Sequence, residues 1–464
     1  MRIDSGFPLS PFNSPAALPR AILGVIGITP MPRLHRESLF WLALALMAVA
    51  GFWWAGRSRE PRPAPGHKVI SWIVFISPMR DYYEREVAEF ERLHPGVEVR
   101  LIWVPGSEYN MKFKTLAAAG QTPDMFYSGD VWAAYLRPFT GDLTPYVQRD
   151  AAEIGLDDYF PEIRAAMQHE GRYFVVPETV NVSLLYFNRE LFRAAGVAEP
   201  TATWTWDDLV RAGQKLTRAP TATDPGVWGC SRMEGWWGEW LTYIRQAGGT
   251  VFSADGRRCV LDSPEAITGL RFYLEKSSKY HISAPAGFEP LNGFVNQRVA
   301  MLVVGHVNFW LNYNQVPGLD WDVQLLPAGP ASRTGGEVAI AGYSLSKTCQ
   351  HPEEAWALMK WMTRPAATEE VVRRGSISVR RSIADAHVHD PRRTGNPHNL
   401  AAVYEQLKYS LPIPRHPNYI EIMLQVVQPE VDRMVQGEIT PEEAGRRAAA
   451  AVNDYLATFA VAGP

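Results

Sequence analysis

The chain has 464 residues, a formal net charge of −3, 46% hydrophobic residues and 20% charged residues. That length exceeds one ordinary hydrophobic core and points to two packed domains. The composition excludes a disordered chain, and the charge balance offers no basic field for nucleic acid.

In chain order, residues 1–38 read as an N-terminal extension, with Met31 as an alternative start. Residues 39–56, LFWLALALMAVAGFWWAG, form an uncharged apolar run with Arg33 and Arg36 before it and Arg57, Arg59 and Arg62 after it. The basic lead, the apolar stretch and Ala48-Val49-Ala50 read as a cleavable export signal. The run is also long enough to remain as a membrane anchor. No Cys stands right after it, so a lipoprotein-type acylation site is missing. Residues 57–67, RSREPRPAPGH, read as a Pro-rich linker. Either reading of the run delivers the rest of the chain outside the cytoplasm, periplasmic or otherwise extracytoplasmic. There Cys230 and Cys259 either pair or stay buried as free thiols. No C-x-x-C spacing suggests a structural zinc site.

KVISWIVF (68–75) is a continuous apolar run rich in β-branched residues, the pattern of a buried strand. DYYEREVAEFERLH (81–94) places Tyr83, Val87 and Phe90 at helical spacing among charges, and His94-Pro95-Gly96 stops it. VEVRLIWV (97–104) is a second strand, and YNMKFKTLAAA (109–119) a second helix ended by Gly120. After the turn at Pro123-Asp124, Met125-Phe126-Tyr127 forms a third strand. This alternation is the βαβ rhythm of a parallel sheet. Ser128, Gly129 and Asp130 then stand at a strand's carboxyl end, where open α/β sheets bind ligands. Asp130 is also placed to cap a helix starting near Val131. GRYFVVPETVNVSLLYFNRELFRAAGV (171–197) predicts a strand, a turn, a strand and a helix. Thr205 and Asp208 in TWTWDDLVRAGQKLT are spaced for a capping box.

The chain contains no Walker-type loop, G-x-G-x-x-G, H-E-x-x-H or G-x-S-x-G. His387 and His389 in AHVHDP have a metal-compatible spacing but read as a polar surface loop. Asn181-Val182-Ser183 fits a glycosylation pattern but falls in a predicted buried strand. Aromatics make up 11% of the chain, with 16 Trp. In GWWGEWLTY, Trp236 and Trp240 are four apart and share a helix face, leaving Trp237 to point elsewhere, toward a cleft or into a Trp-rich packing face.

FERLHPGVEVRL, AAGQTPDMF, the segment from Gly171 to Val197 with Tyr186-Phe187-Asn188, TWTWDDLVRAGQKLT, QAGGTVF, FVNQRVAMLVVGHVNFW, WDVQLLPAGP, YSLSKTCQHPEEAWALMKWM and RRGSISVRRS follow one another in the chain. This series resembles the extracellular solute-binding proteins of ABC importers, in particular the maltodextrin-binding-like carbohydrate receptors, from about Lys68 to Ser382. Gln297 and Ser378 depart from the family's usual Gly and Pro. The resemblance implies an α/β fold of type II with two lobes, each a mainly parallel sheet flanked by helices, and a ligand cleft between them. One lobe would comprise residues 68–179 and 341–383, the other 180–340 and 384–464. It implies a monomeric, non-enzymatic receptor without cofactor or metal, which closes by a hinge around a carbohydrate and delivers it to ABC permease subunits. Matching positions nominate Tyr109, Ser128, Asp130, Asn181, Trp310, Tyr343 and Arg380 as ligand contacts, and the Trp cluster adds Trp237 and Trp240. Such residues suit a sugar, whose hydroxyls take planar polar side chains and whose C–H faces stack on rings. An exported carbohydrate-active enzyme would instead need two carboxylates facing across the cleft. A tethered sensory module would need the N-terminal helix intact.

Overall fold

The computed structural model describes residues 66–129, 136–305, 313–414, 416 and 418–460. The extension, the apolar run 39–56, nearly all of the Pro-rich linker, Asp130, the helix expected from Val131, and Trp310 lie outside the described residues. No helix among the described residues is long and apolar enough to cross a membrane.

The strands in chain order are β1 (Lys68–Phe75), β2 (Val97–Val104), β3 (Met125–Gly129), the two-residue β4 (Gln168–His169) and β5 (Arg172–Tyr173), β6 (Val176–Val182), β7 (Leu184–Asn188), β8 (Met301–Gly305), β9 (Trp321–Gln324), β10 (Gly336–Leu345) and β11 (Ser410–Leu411). A six-stranded sheet runs β11-β10-β3-β1-β2, with β6 also on β10. β1 lies parallel to β2 and β3, as the βαβ rhythm predicts, and β10 runs antiparallel to both β3 and β6. The second sheet, β8-β7-β9, has three strands, with β7 antiparallel to both neighbours.

The helix Arg80–Leu93 buries Tyr82, Tyr83, Val87 and Phe90 on the first sheet. Each such side chain contributes about 1.5–3 kcal/mol of transfer free energy. Trp72, Tyr343, Trp356 and Met359 join that core, which continues through Tyr186, Leu302, Trp321 and Val323 onto one face of the second sheet. A second core gathers Leu185 and Phe187 of β7 with the helices Trp206–Leu216, Gly238–Gln246, Pro264–Ser278 and Pro441–Ala460. Thr205 caps its helix through the reciprocal box with Asp208, worth about 1 kcal/mol.

The chain passes from one sheet to the other at Ser183, between the end of β6 and the start of β7. There the Ser183 N–H donates to Glu337 O at 3.0 Å and Glu337 N–H donates to Ser183 Oγ at 3.2 Å. The paired β6 and β10 thus form a ribbon joining the two halves. Gly342 lets β6 close onto β10 and Gly129 lets β3 close onto β10, since a Cβ would stand 2.1 Å from Val176 O and 2.4 Å from Ile340 O respectively.

One open alternative is decided and one sequence reading changes. Cys230 and Cys259 are buried free thiols, and burial pushes each up to about 11, so both stay protonated. His387 and His389 lie on the helix Arg381–Val388 and at its C-terminal cap, not on a loop. No group of three metal-ligating side chains forms among the described residues.

Candidate ligand-binding site

The first contribution comes from the carboxyl ends of the parallel strands. β1 ends in Phe75, whose ring meets Tyr109 at 4.2 Å and Tyr127 edge-on at 5.5 Å. Ile76 beyond it is 51% exposed, unusual for a large apolar side chain at a strand end. Half-buried Trp103, near the end of β2, carries the Arg80 guanidinium 5.0 Å from its ring centroid. Behind these rings lies Glu178, with Tyr83 donating to Oε2 at 2.8 Å, Tyr343 donating to Oε1, and Tyr127 as a third phenol partner. Burial raises the Glu178 carboxyl above the usual carboxylate range, while the phenol bonds act to hold it down. Burial and the Glu178 charge together push all three tyrosines upward. Among the described residues the phenols serve as its donors, and no cation is paired with it.

The second contribution is the crossing ribbon, whose two faces differ. Val180, Val182, Val338 and Ile340 are buried to within 1%. Thr179, Asn181, Ala339 and Ala341, the alternate residues, are only half-buried. Asn181 Oδ1 has no hydrogen-bond partner among the described residues. This face is therefore small-sided and half-buried, with the unpartnered Asn181 Oδ1 shielded from solvent in this arrangement.

The third contribution is the loop from Ser231 to Trp237. Ser231 Oγ accepts from Val303 N–H at 3.1 Å, fixing the loop to β8. A buried ion pair supports it from below. Lys276 Nζ donates to Ser231 O at 2.6 Å and to Glu239 Oε1, both side chains being fully buried. Glu239 also accepts from Met233 N–H at 2.5 Å and from Tyr243 OH at 3.0 Å. The loop presents half-buried Trp236, stacked on Trp237 at 3.9 Å between ring centroids.

Many nominated contacts prove to be internal. Tyr109 is 3% exposed; its OH donates to Tyr127 O at 2.8 Å and accepts from Tyr127 N–H at 2.9 Å, so it staples β3 to its helix. Ser128 is buried against the Ser344 hydroxyl. Tyr343 holds Glu178. Arg380 is 2% exposed, donating through Nη2 to Ile154 O at 3.0 Å and Thr363 O at 2.7 Å. Trp237 and Trp240 are fully buried, and Trp240 Nε1 donates to Gln428 at 3.2 Å. In this arrangement these side chains pack and position; none presents a surface open to a solute. Trp237 is the N-cap of the helix Gly238–Gln246, so Trp236 precedes the helix and the face-sharing expected with Trp240 does not occur. Asn181 alone among the nominated, described residues is only half-buried, although its unpartnered Oδ1 is itself shielded from solvent. Sequence reasoning missed Glu178, Glu337 and the Lys276–Glu239 pair. The signal for the first two was a single acid inside an apolar strand, in VVPETVNV and GGEVAIAGYS.

Residues 77–369 match the family model described as bacterial extracellular solute-binding protein. The chain belongs to that family. As a solute-binding protein it is similar to the mannitol-binding protein of Pseudomonas aeruginosa, 27% identical over 48% of this chain. That match spans about half, 50%, of the relative's own length. The maltotriose-binding protein of Pyrococcus abyssi is 23% identical over 64% of this chain and 62% of its own. Among solved structures, the ABC substrate-binding protein of Listeria monocytogenes in complex with cycloalternan superposes with a TM-score of 0.72 at 23% identity, over 85% of this chain and 99% of that one. The sugar-binding protein MalE of Xanthomonas citri gives 0.71 at 20% identity, over 84% and 98%. At these identities the likeness establishes the fold, the two-lobed α/β architecture of periplasmic binding proteins.

Proposed function

We propose that the chain is the extracytoplasmic receptor of an ABC importer, taking a sugar or polyol between its lobes and passing it to a permease. The observation that carries this reading is the crossing ribbon. Its half-buried face lies where the chain crosses from one sheet to the other, with the unpartnered Asn181 Oδ1 just beneath it. The mannitol, maltotriose and cycloalternan named for its relatives support a polyhydroxylated solute. We assign lobe 1 to residues 68–179 and 341–383 and lobe 2 to 180–340 and 384–464. The hinge is then the ribbon, and closure is a ligand-driven shift between open and closed populations.

In this reading Asn181 accepts a ligand hydroxyl, Trp236 offers a stacking face from lobe 2, and the Phe75–Ile76 edge offers an apolar wall from lobe 1. Trp237, Tyr343 and Arg380 hold these surfaces in place. A monomer in the periplasm suffices for the task, with no catalytic step. A thermal-shift screen of residues 57–464 against mannitol, ribitol, tagatose, maltose and maltotriose tests it. Ligand at 100 times its dissociation constant stabilises by about 2.7 kcal/mol, a clear rise in midpoint. No rise with any polyol or sugar, or product formation from one, overturns the reading.

A further inference from the structure

Glu337 is 3% exposed, and neither carboxyl oxygen makes a hydrogen bond among the described residues. It stands near the start of β10, where the ribbon meets Ser183 and where β10 also pairs with Leu411 of β11. Three groups face it. Trp237, from the end of the Ser231–Trp237 loop, acts on it through its indole. Arg245, from the helix Gly238–Gln246, supplies charge but spends its hydrogen bonds on Leu411 O at 3.4 Å and Pro412 O at 2.8 Å. Tyr419, from the short helix Tyr419–Glu421, packs edge-on against Trp237 at 5.4 Å between centroids. Trp237 Nε1 and Tyr419 OH are buried and, like the carboxylate, unpartnered among the described residues. Donors and an acceptor thus sit buried together with no hydrogen bond formed among the described residues, an arrangement costly to keep unless one state of the protein uses it.

We propose that Glu337 is a proton switch in the crossing strand: neutral while the Trp237 N–H stands off, ionised when that N–H closes onto the carboxylate. This rests on the receptor reading for its link to the ligand. A solute stacking on Trp236 bears directly on Trp237, the ring behind it, and through it on Glu337. On binding, the carboxyl O–H bond breaks, the proton leaves to solvent, and the indole N–H bond to the carboxylate takes its place. Burial raises the unliganded carboxyl and Arg245 and Trp237 partly offset it, the balance standing at about 7. The sign follows: the bound form holds fewer protons, so affinity rises with pH through neutrality. Each unit by which binding lowers the carboxyl pKa changes affinity up to about tenfold.

Two measurements test this. The first needs no ligand: intrinsic Trp fluorescence of residues 57–464, followed from pH 5.5 to 8.5. A step near neutrality is expected in the wild type and absent in Glu337→Gln, which keeps the side chain's shape. In Trp237→Phe, which keeps the ring and loses the donor, the step moves to higher pH. No step in the wild type, or an unchanged step in Glu337→Gln, overturns the switch; that control also removes any contribution from half-buried His416. The second is calorimetric titration at pH 6, 7 and 8, in buffers of different ionisation enthalpy, with whichever of mannitol or maltotriose raises the melting midpoint. Proton release and tighter binding at pH 8 are expected. Affinity independent of pH in the wild type overturns the linkage. Binding by neither probe, with the fluorescence step present, removes the receptor reading and the linkage with it while the Glu337 titration stands.

Discussion

Replacing Lys276 by Met removes one half of the fully buried pair beneath the Trp236 loop. The Glu239 carboxylate is left in the interior with, among the described residues, the Met233 N–H and the Tyr243 OH as donors. The Lys276 ammonium also lies 5.1 Å from the Tyr243 ring centroid and 5.6 Å from that of Tyr273, contacts that are lost as well. Breaking a buried pair by removing one partner costs about 3–5 kcal/mol, mainly the penalty of an uncompensated charge. The double variant Lys276→Met, Glu239→Gln removes the orphaned charge while keeping an acceptor for Met233. It should recover about half of the loss, because the desolvation penalty disappears with the charge. Urea unfolding followed by near-ultraviolet circular dichroism of the two single variants and the double variant gives the coupling directly. A Lys276→Met cost below about 1 kcal/mol, or a double variant as unstable as the sum of the singles, would refute the assignment of this pair as the loop's support.

Trp236→Ala removes the half-buried stacking ring and should weaken sugar binding at least about tenfold with little loss of stability, as read by titration beside a thermal melt. Asp124→Ala should do the opposite. Asp124 Oδ2 accepts from Ser71 N–H at 2.9 Å and Ser71 Oγ at 2.6 Å, so its loss costs about 2–4 kcal/mol and lowers the melting midpoint while leaving affinity alone. Glu337→Gln should change the pH profile of stability. The folded state raises this carboxyl from 4.5 to about 7, so the wild type loses stability as pH rises through that interval. The variant lacks the decline and should be more stable at pH 8 by about 3 kcal/mol; parallel profiles in denaturant titrations at pH 5 and pH 8 would contradict this.

The first lobe was legible because buried parallel strands read as continuous apolar runs. KVISWIVF and VEVRLIWV became β1 and β2 with their predicted bounds. The box at Thr205 was equally local, needing only residues three apart. The site was less legible because exposure at a strand end depends on partners far along the chain. Tyr109 stands at a helix start, where a ligand contact is plausible, yet its hydroxyl is consumed by the backbone of Tyr127. Trp237 gave the same pattern as Trp236, and only the start of the helix at Gly238 decides which ring turns inward. Glu178 carried a readable anomaly, an acid in an apolar run, but its three phenol partners come from separate elements that no spacing rule connects.

The central position of β10 in the first sheet bears on how the protein is made. Ser128 of β3 and Ser344 of β10 touch across a separation of 216 residues. The second lobe's three-stranded sheet has therefore been synthesised before the first can be completed. Loops this long make closure slow and hold the nascent first lobe open, with β3 lacking the neighbour it will have at the end. A first lobe that closes only when β10 arrives leaves the edge of β3 unpaired until late, so its folding is tied to the completion of the whole chain.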